Sequence, residues 1–97
     1  MREYEVTIIV QPELEESERN VLLERVSGWL TFGQEEGDKP VANHWGRRRL
    51  AYHINKFSEG YYVMYEANLD PLQVNQIERN FQFNDDILRY LVVRKHS

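Results

Sequence analysis

Residues 60–71, Gly60-Tyr61-Tyr62-Val63-Met64-Tyr65-Glu66-Ala67-Asn68-Leu69-Asp70-Pro71, set a strand directly before a helix start, and the fold is read outward from that junction. Gly60 to Ala67 is rich in aromatic residues and reads as the clearest strand of the chain. Side chains alternate across a strand. Burying Val63 therefore buries Tyr61 and Tyr65 with it and leaves Tyr62 on the other face. Asp70-Pro71 then opens a helix, because aspartate accepts from a free N–H of the first turn and proline lacks an N–H that would have no helical partner. Val74, Ile77 and Phe81 supply the buried stripe of this helix. Asn84-Asp85-Asp86 breaks it, and Ile87 to Val93 makes a last strand that runs out into Arg94-Lys95.

A strand and a helix also open the chain. Tyr4 to Val10 alternates, with Tyr4, Val6, Ile8 and Val10 on the buried face, and Gln11-Pro12 ends the strand. Glu13, Glu15, Glu16 and Glu18 suit a helix N-terminus. Leu22/Leu23, Val26 and Leu30 follow at helical spacing, and the helix is expected to end near Gly33. Gln34 to Pro40 reads as a loop. Val41 to Ile54 is strand-like, with Gly46 marking a bulge or bend. Leu50, Tyr52 and Ile54 are assigned to the core side of this strand and Arg49, Ala51 and His53 to the other. That parity points Arg47 and Arg49 off the core and puts Arg48 with Leu50. Asn55 to Gly60 reads as a turn. The order β-α-β-β-α-β predicts an α+β, ferredoxin-like domain spanning 1–97, a four-stranded antiparallel sheet with two helices on one face. Val6, Ile8, Val26, Leu30, Leu50, Val63, Tyr65, Ile77 and Val92 are its expected core.

Composition narrows the chemistry. The 97 residues are 41% hydrophobic, enough for one two-layer core and too few for two. There is no cysteine, so disulfides, thiolate metal sites and iron–sulfur clusters are excluded, and a reducing compartment fits. No run approaches the ~18 apolar residues of a membrane span, and the N-terminus enters a strand pattern without a signal-peptide signature. His44, His53 and His96 lack the spacing that would aim two at one metal ion and read as surface histidines. An acylphosphatase-type site needs a glycine-rich anion loop after the first strand, where this chain has Val10-Gln11-Pro12-Glu13-Leu14. The first-helix carboxylates face water, where nothing raises a pKa for acid–base work. An enzyme is not expected, nor is a cofactor.

The net charge of −4 argues at first against a nucleic-acid partner, but the charges are segregated. Between Gln11 and Asp38 there are eight acids against two arginines, whereas Trp45 to Phe57 holds Arg47, Arg48, Arg49 and Lys56 and no acid. One surface can attract phosphate while another repels it. The RNA-recognition motif shares this element order and stacks bases on third-strand aromatics. Here parity leaves only Tyr62 on the open face of that strand, and the segment is one residue short of the motif's glycine-aromatic pattern.

A different match is more specific. Gly46-Arg47-Arg48-Arg49-Leu50-Ala51-Tyr52-His53-Ile54-Asn55-Lys56 closely resembles the signature of the ribosomal small-subunit protein six family. That pattern is a glycine, a basic cluster, Leu-Ala-Tyr, any residue, isoleucine, then a small or polar residue, and Gly46 to Asn55 fit it without a break. The likeness extends to Arg2, Tyr4-Glu5, Pro12, Gly60-Tyr61 and the closing Leu91-Val92-Val93-Arg94-Lys95. Asn43-His44 and the absence of a long acidic tail after the last strand depart from it. The resemblance implies a structural constituent of the small ribosomal subunit, in cytoplasmic or organellar ribosomes. It also implies binding to the central domain of small-subunit ribosomal RNA, in the platform, together with the small basic ribosomal protein eighteen. No membrane or small-molecule partner is implied. An acidic domain binds RNA weakly alone, so a strongly basic partner makes sense of the charge. The contact candidates are Arg2, Arg47, Arg48, Arg49, Lys56, Arg89, Arg94 and Lys95, with the aromatics Tyr4 and Tyr62. Tyr4 is also assigned to the core, and Trp45 is either an edge-covering core residue or an interface anchor. The alternative class is a protein–protein adaptor of the same fold whose open face binds no RNA.

Overall fold

The structure, a computed structural model, describes residues 2–31 and 39–95. Strand β1 spans Arg2–Val10, helix α1 Glu16–Thr31, strand β2 Val41–Ile54, strand β3 Phe57–Leu69, helix α2 Val74–Gln82 and strand β4 Ile87–Arg94. The strands form one antiparallel sheet in the order β2-β3-β1-β4. This is the ferredoxin-like arrangement expected from the sequence, with both helices on one face. The expected helix end at Gly33 and the loop up to Asp38 lie outside the described residues, as does His96.

Local chemistry sets the element ends. Glu16 and Glu18 sit in the first turn of α1, where negative charge meets the positive end of the helix dipole. Glu18 also reaches back, its Oε1 accepting from the Glu15 N–H at 3.2 Å, the returning half of a capping box. Asp70 caps as expected: its Oδ1 accepts from the Leu72 N–H at 3.0 Å, and a single 3-10 turn over Pro71–Gln73 leads into α2. After α2, Asn84 Oδ1 accepts from the Asp86 N–H at 3.0 Å, and the Asp86 carbonyl accepts from the Gln11 N–H at 2.8 Å. The break is thereby tied to the end of β1.

Alternation brings Tyr4, Val6, Ile8 and Val10 from β1 and Val63, Tyr65, Ala67 and Leu69 from β3 to the helix side. There they meet Leu22, Leu23, Val26 and Leu30 of α1, Ile77 and Phe81 of α2, and Ile87. Trp29 packs edge-on to Phe81 with ring centroids 5.9 Å apart, and Phe81 lies 5.4 Å from Tyr90. Tyr65 is the largest fully buried side chain, and its hydroxyl donates to the Leu23 carbonyl at 3.2 Å. Burial, and then the charge of Glu24, push its phenol pKa upward. Val92 and Val74 sit at the margin of this core, half-buried.

One residue changes the reading of β2. His44 pairs with Val63 and Gly46 with Tyr62, so two steps of β2 oppose one of β3 and Trp45 is the extra residue of a bulge. Gly46 has φ +82, the left-handed region that a residue without Cβ enters freely. A slip of one residue moves the following side chains to the other face, until a second register break between Arg49 and Ile54 returns Ile54, opposite Phe57, to the helix side as expected. The sequence reading places the bulge or bend correctly but keeps the parity of an unbroken strand beyond it. Leu50 is buried, yet on the side away from the helices: a Cβ on Gly60 would meet Ile9 Cγ2, with Leu50 Cδ2 close by. Tyr52, assigned to the core, is 59% exposed. Arg48 faces the open side, and Arg47 and Arg49 face the helix side.

The turn is also shorter than read. Asn55-Lys56 alone joins Ile54 to Phe57, with Asn55 at φ 55, so β3 begins at Phe57 and not at Gly60. Beyond Leu50 and Gly60 the two strands form a projecting arm whose residues 51–59 are exposed or half-buried.

Candidate functional site

The sheet face opposite the helices carries large apolar side chains in the open: Val41 and Trp45 of β2, and Leu91 and Val93 of β4 are all exposed. The β2 bulge builds a stack there. Trp45 lies over Tyr62 with ring planes 16° apart and centroids 6.5 Å apart, and the Arg48 guanidinium carbon is 5.7 Å from the Trp45 ring. Arg89, level with Ile9 on the same face, sits 5.3 Å from the ring of Tyr52. Glu3, Glu5 and Glu66 occupy the far end of this face.

The other two signature arginines point elsewhere. Arg47 Nη2 donates to the Pro12 carbonyl at 2.8 Å, and its Nη1 is 3.8 Å from Glu59 Oε2. It ties the β2 edge to the connection between β1 and α1. Arg49 pairs across from Glu59 and is exposed, and Lys56 stands at the arm's tip. From Arg47 to Tyr61 the chain holds four cations and a single acid, Glu59. Behind Arg47, Arg19 lies 4.0 Å from the Tyr61 ring and the Tyr61 hydroxyl is 3.1 Å from His44 Nδ1.

The remaining candidates lie at the opposite end of the sheet, roughly 25 Å away along β1 at ~3.3 Å per residue. Arg2 pairs with Leu69 and Arg94 with Tyr4, both arginines exposed. Lys95 Nζ is 3.4 Å from Glu66 Oε1, and its backbone N–H donates to the Glu3 carbonyl at 2.9 Å. These two contacts border a groove of about 280 Å³ that includes Glu3, Lys39, Val41 and Asn68. Tyr4 is 9% exposed and packs in the core, as assigned, with an edge that also lines this groove. The ten candidates are thus two separate groups, not one site.

Residues 3–94 match the family Ribosomal protein S6. This chain belongs to the ribosomal protein S6 family. Its relatives include the small ribosomal subunit protein bS6 of Caldanaerobacter subterraneus subsp. tengcongensis, 39% identical over 94 residues, or 97% of each chain. That of Desulforudis audaxviator is 36% identical over 95 residues, 98% of this chain and 99% of the relative. The crystal structure of 30S ribosomal protein S6 from Thermotoga maritima matches with a TM-score of 0.86 at 29% identity, over 97% of this chain and 87% of that one. As an S6-family protein the chain is a structural component of the small ribosomal subunit and not an enzyme.

Relative to the sequence reading, the open face of this S6-family chain also exposes Tyr52, Leu91 and Val93, and Trp45 belongs to that face. The signal for Trp45 and Tyr52 was present: a glycine inside a strand marks a bulge, and carrying its one-residue offset forward reassigns both. For Leu91 and Val93 the signal was the core assignment of Val92, since alternation places its two neighbours on the opposite face.

Proposed function

We propose that this chain binds the central domain of small-subunit ribosomal RNA, in the platform of cytoplasmic ribosomes, jointly with the small basic ribosomal protein eighteen. The observation that carries this reading is an exposed apolar sheet face directly beside a basic arm. Val41, Trp45, Leu91 and Val93 with Arg48 have the aromatic, aliphatic and arginine character of a protein interface centre. The acids Glu3, Glu5 and Glu66 at the margin of that face complement a cationic partner. Arg47, Arg49 and Lys56 suit phosphate, arginine through its planar fork and lysine as a point charge. A net charge of −4 weakens RNA binding by the isolated chain, and a basic partner supplies the missing field.

Titrating labelled central-domain RNA with this chain, with the basic protein, and with both tests the proposal. Weak binding by the chain alone should rise steeply when the partner is added, and Trp45→Ala should abolish most of the rise while leaving the domain folded. Equal affinity with and without the partner would remove cooperative assembly. Binding of the partner without any RNA would favour the adaptor class.

A further inference from the structure

β2 and β4 are opposite edges of the sheet, with β3 and β1 between them. At about 4.8 Å per strand the two edges are roughly 14 Å apart. Arg89 of β4 stands level with Ile9, Tyr62 and Gly46. Ile54 pairs with Phe57, five residues along β3 from Tyr62, so the outer arm lies roughly 16 Å beyond the level of Arg89, with Tyr52 two residues short of Ile54 inside a register break. There the Arg89 guanidinium carbon is 5.3 Å from the Tyr52 ring, although the two belong to opposite edge strands. The outer arm therefore leans across the end of β1 towards β4. Ile54, farther out, lines one groove with Ile87, Arg89 and Tyr90.

Two backbone features allow the bend. Pairing between β2 and β3 breaks register between Arg49 and Ile54. Gly60 presents no Cβ where Ile9 crosses, and a methyl group there would collide with Ile9 Cγ2. Neither feature holds the arm in its bent position, because most arm side chains are exposed. Among the described residues, the contacts that can hold it are the packing of half-buried Ile54 and Phe57, the Arg47–Glu59 pair at its base, and the Arg89–Tyr52 pair. The last alone among these reaches a β4 side chain.

We infer that Arg89 is a positioning residue, clasping Tyr52 so that the arm presents Arg49 and Lys56 in one orientation, and is not itself a phosphate contact. This rests on the reading that the arm meets RNA. Hydrogen exchange of the arm amides in the free chain, and RNA affinity against salt with the basic partner present, test it. The variants are Arg89→Ala, Tyr52→Leu, Tyr52→Phe and the Arg89→Ala/Tyr52→Leu double change. Arg89→Ala and Tyr52→Leu should each speed arm exchange about two- to fivefold, the population shift from losing one exposed cation–π contact. Core amides should keep their protection, and RNA affinity should fall by a similar factor at an unchanged salt slope. Tyr52→Phe retains the ring and should match the parent, and the double change should be no worse than either single change. Unaltered arm exchange in Arg89→Ala overturns the inference. So does a salt slope flattened by roughly 0.7–0.9, which would make Arg89 a phosphate contact. If the parent chain with its partner binds no central-domain RNA, the proposed function fails, and the exchange result alone decides whether Arg89 orders the arm.

Discussion

Alanine at Gly46 and alanine at Gly60 should both destabilise the domain, for unrelated reasons. Open space surrounds Gly46, but its φ of +82 strains any residue with a Cβ, at roughly 1–2 kcal/mol. Gly60 has no such φ restriction; its added methyl would strike Ile9, whose β-branched side chain has little rotamer freedom to move aside. Overpacking of that kind costs about 1–3 kcal/mol. Urea unfolding of both variants checks the two figures, and Ile9→Ala should relieve Gly60→Ala while leaving Gly46→Ala untouched. Tyr65 gives a pH dependence with a definite sign. Its folded pKa is raised from 10.0 by burial and by Glu24, so the folded state keeps the proton that the unfolded state releases. Its contribution to stability is full below pH about 10 and is lost above it by roughly 1.4 kcal/mol per pH unit. Tyr65→Phe should flatten the alkaline fall in unfolding free energy by one proton, and an unchanged slope would mean the phenol ionises in place.

At the level of elements, Ile77→Ala should cost about 2–5 kcal/mol in denaturant unfolding, and Val26→Ala a smaller loss of the same kind. Both side chains are buried, one from each helix, against the same sheet face. A neutral result for either would contradict the helix faces assigned. These faces, β1 and the Asp70 cap were legible in the sequence because each rests on a local rule: a period of two, a period near 3.6, or one side chain reaching a neighbouring N–H. β2 was legible as a strand and illegible in its direction. Alternation carries an error forward to the next irregularity, so the bulge at Trp45-Gly46 was enough to reverse Arg47, Arg48, Arg49 and Leu50 together, and a second break before Ile54 placed Tyr52 in the open. Asn55 likewise hid a tight turn, since asparagine tolerates the positive φ that lets two residues do the work expected of a longer loop.

Across the whole molecule, the reversed parity separates two roles that the basic run had merged. Arg49→Ala with Lys56→Ala should weaken RNA binding by the assembled complex without unfolding the domain. That pair should lower the log-affinity versus log-salt slope by about 1.4–1.8, two phosphate contacts at ~0.7–0.9 each. Arg48→Ala should instead weaken association with the basic partner and leave the slope intact, because its guanidinium lies against Trp45 on the apolar face. Arg47→Ala should cost stability as well, through the lost bond to the Pro12 carbonyl. Affinity measured from low to high salt for all three distinguishes them, and a normal slope in the Arg49/Lys56 variant would move the RNA contact off the arm.

The amino-acid sequence by itself determined the element order, the two-layer packing, most of the core and, through Gly46 to Asn55, the family. Those properties follow from composition, periodicity and nearest-neighbour chemistry, all of which act over a few residues. Only the tertiary structure decided which arginine faces which surface, that Tyr52 lies over Arg89, and that the candidate contacts divide between two ends of the sheet. Each of those depends on the register between strands far apart in the chain. Register is fixed by pairing geometry at two irregularities of β2 and by the space left at Gly60 beside Ile9, and none of these is local to the residues it directs.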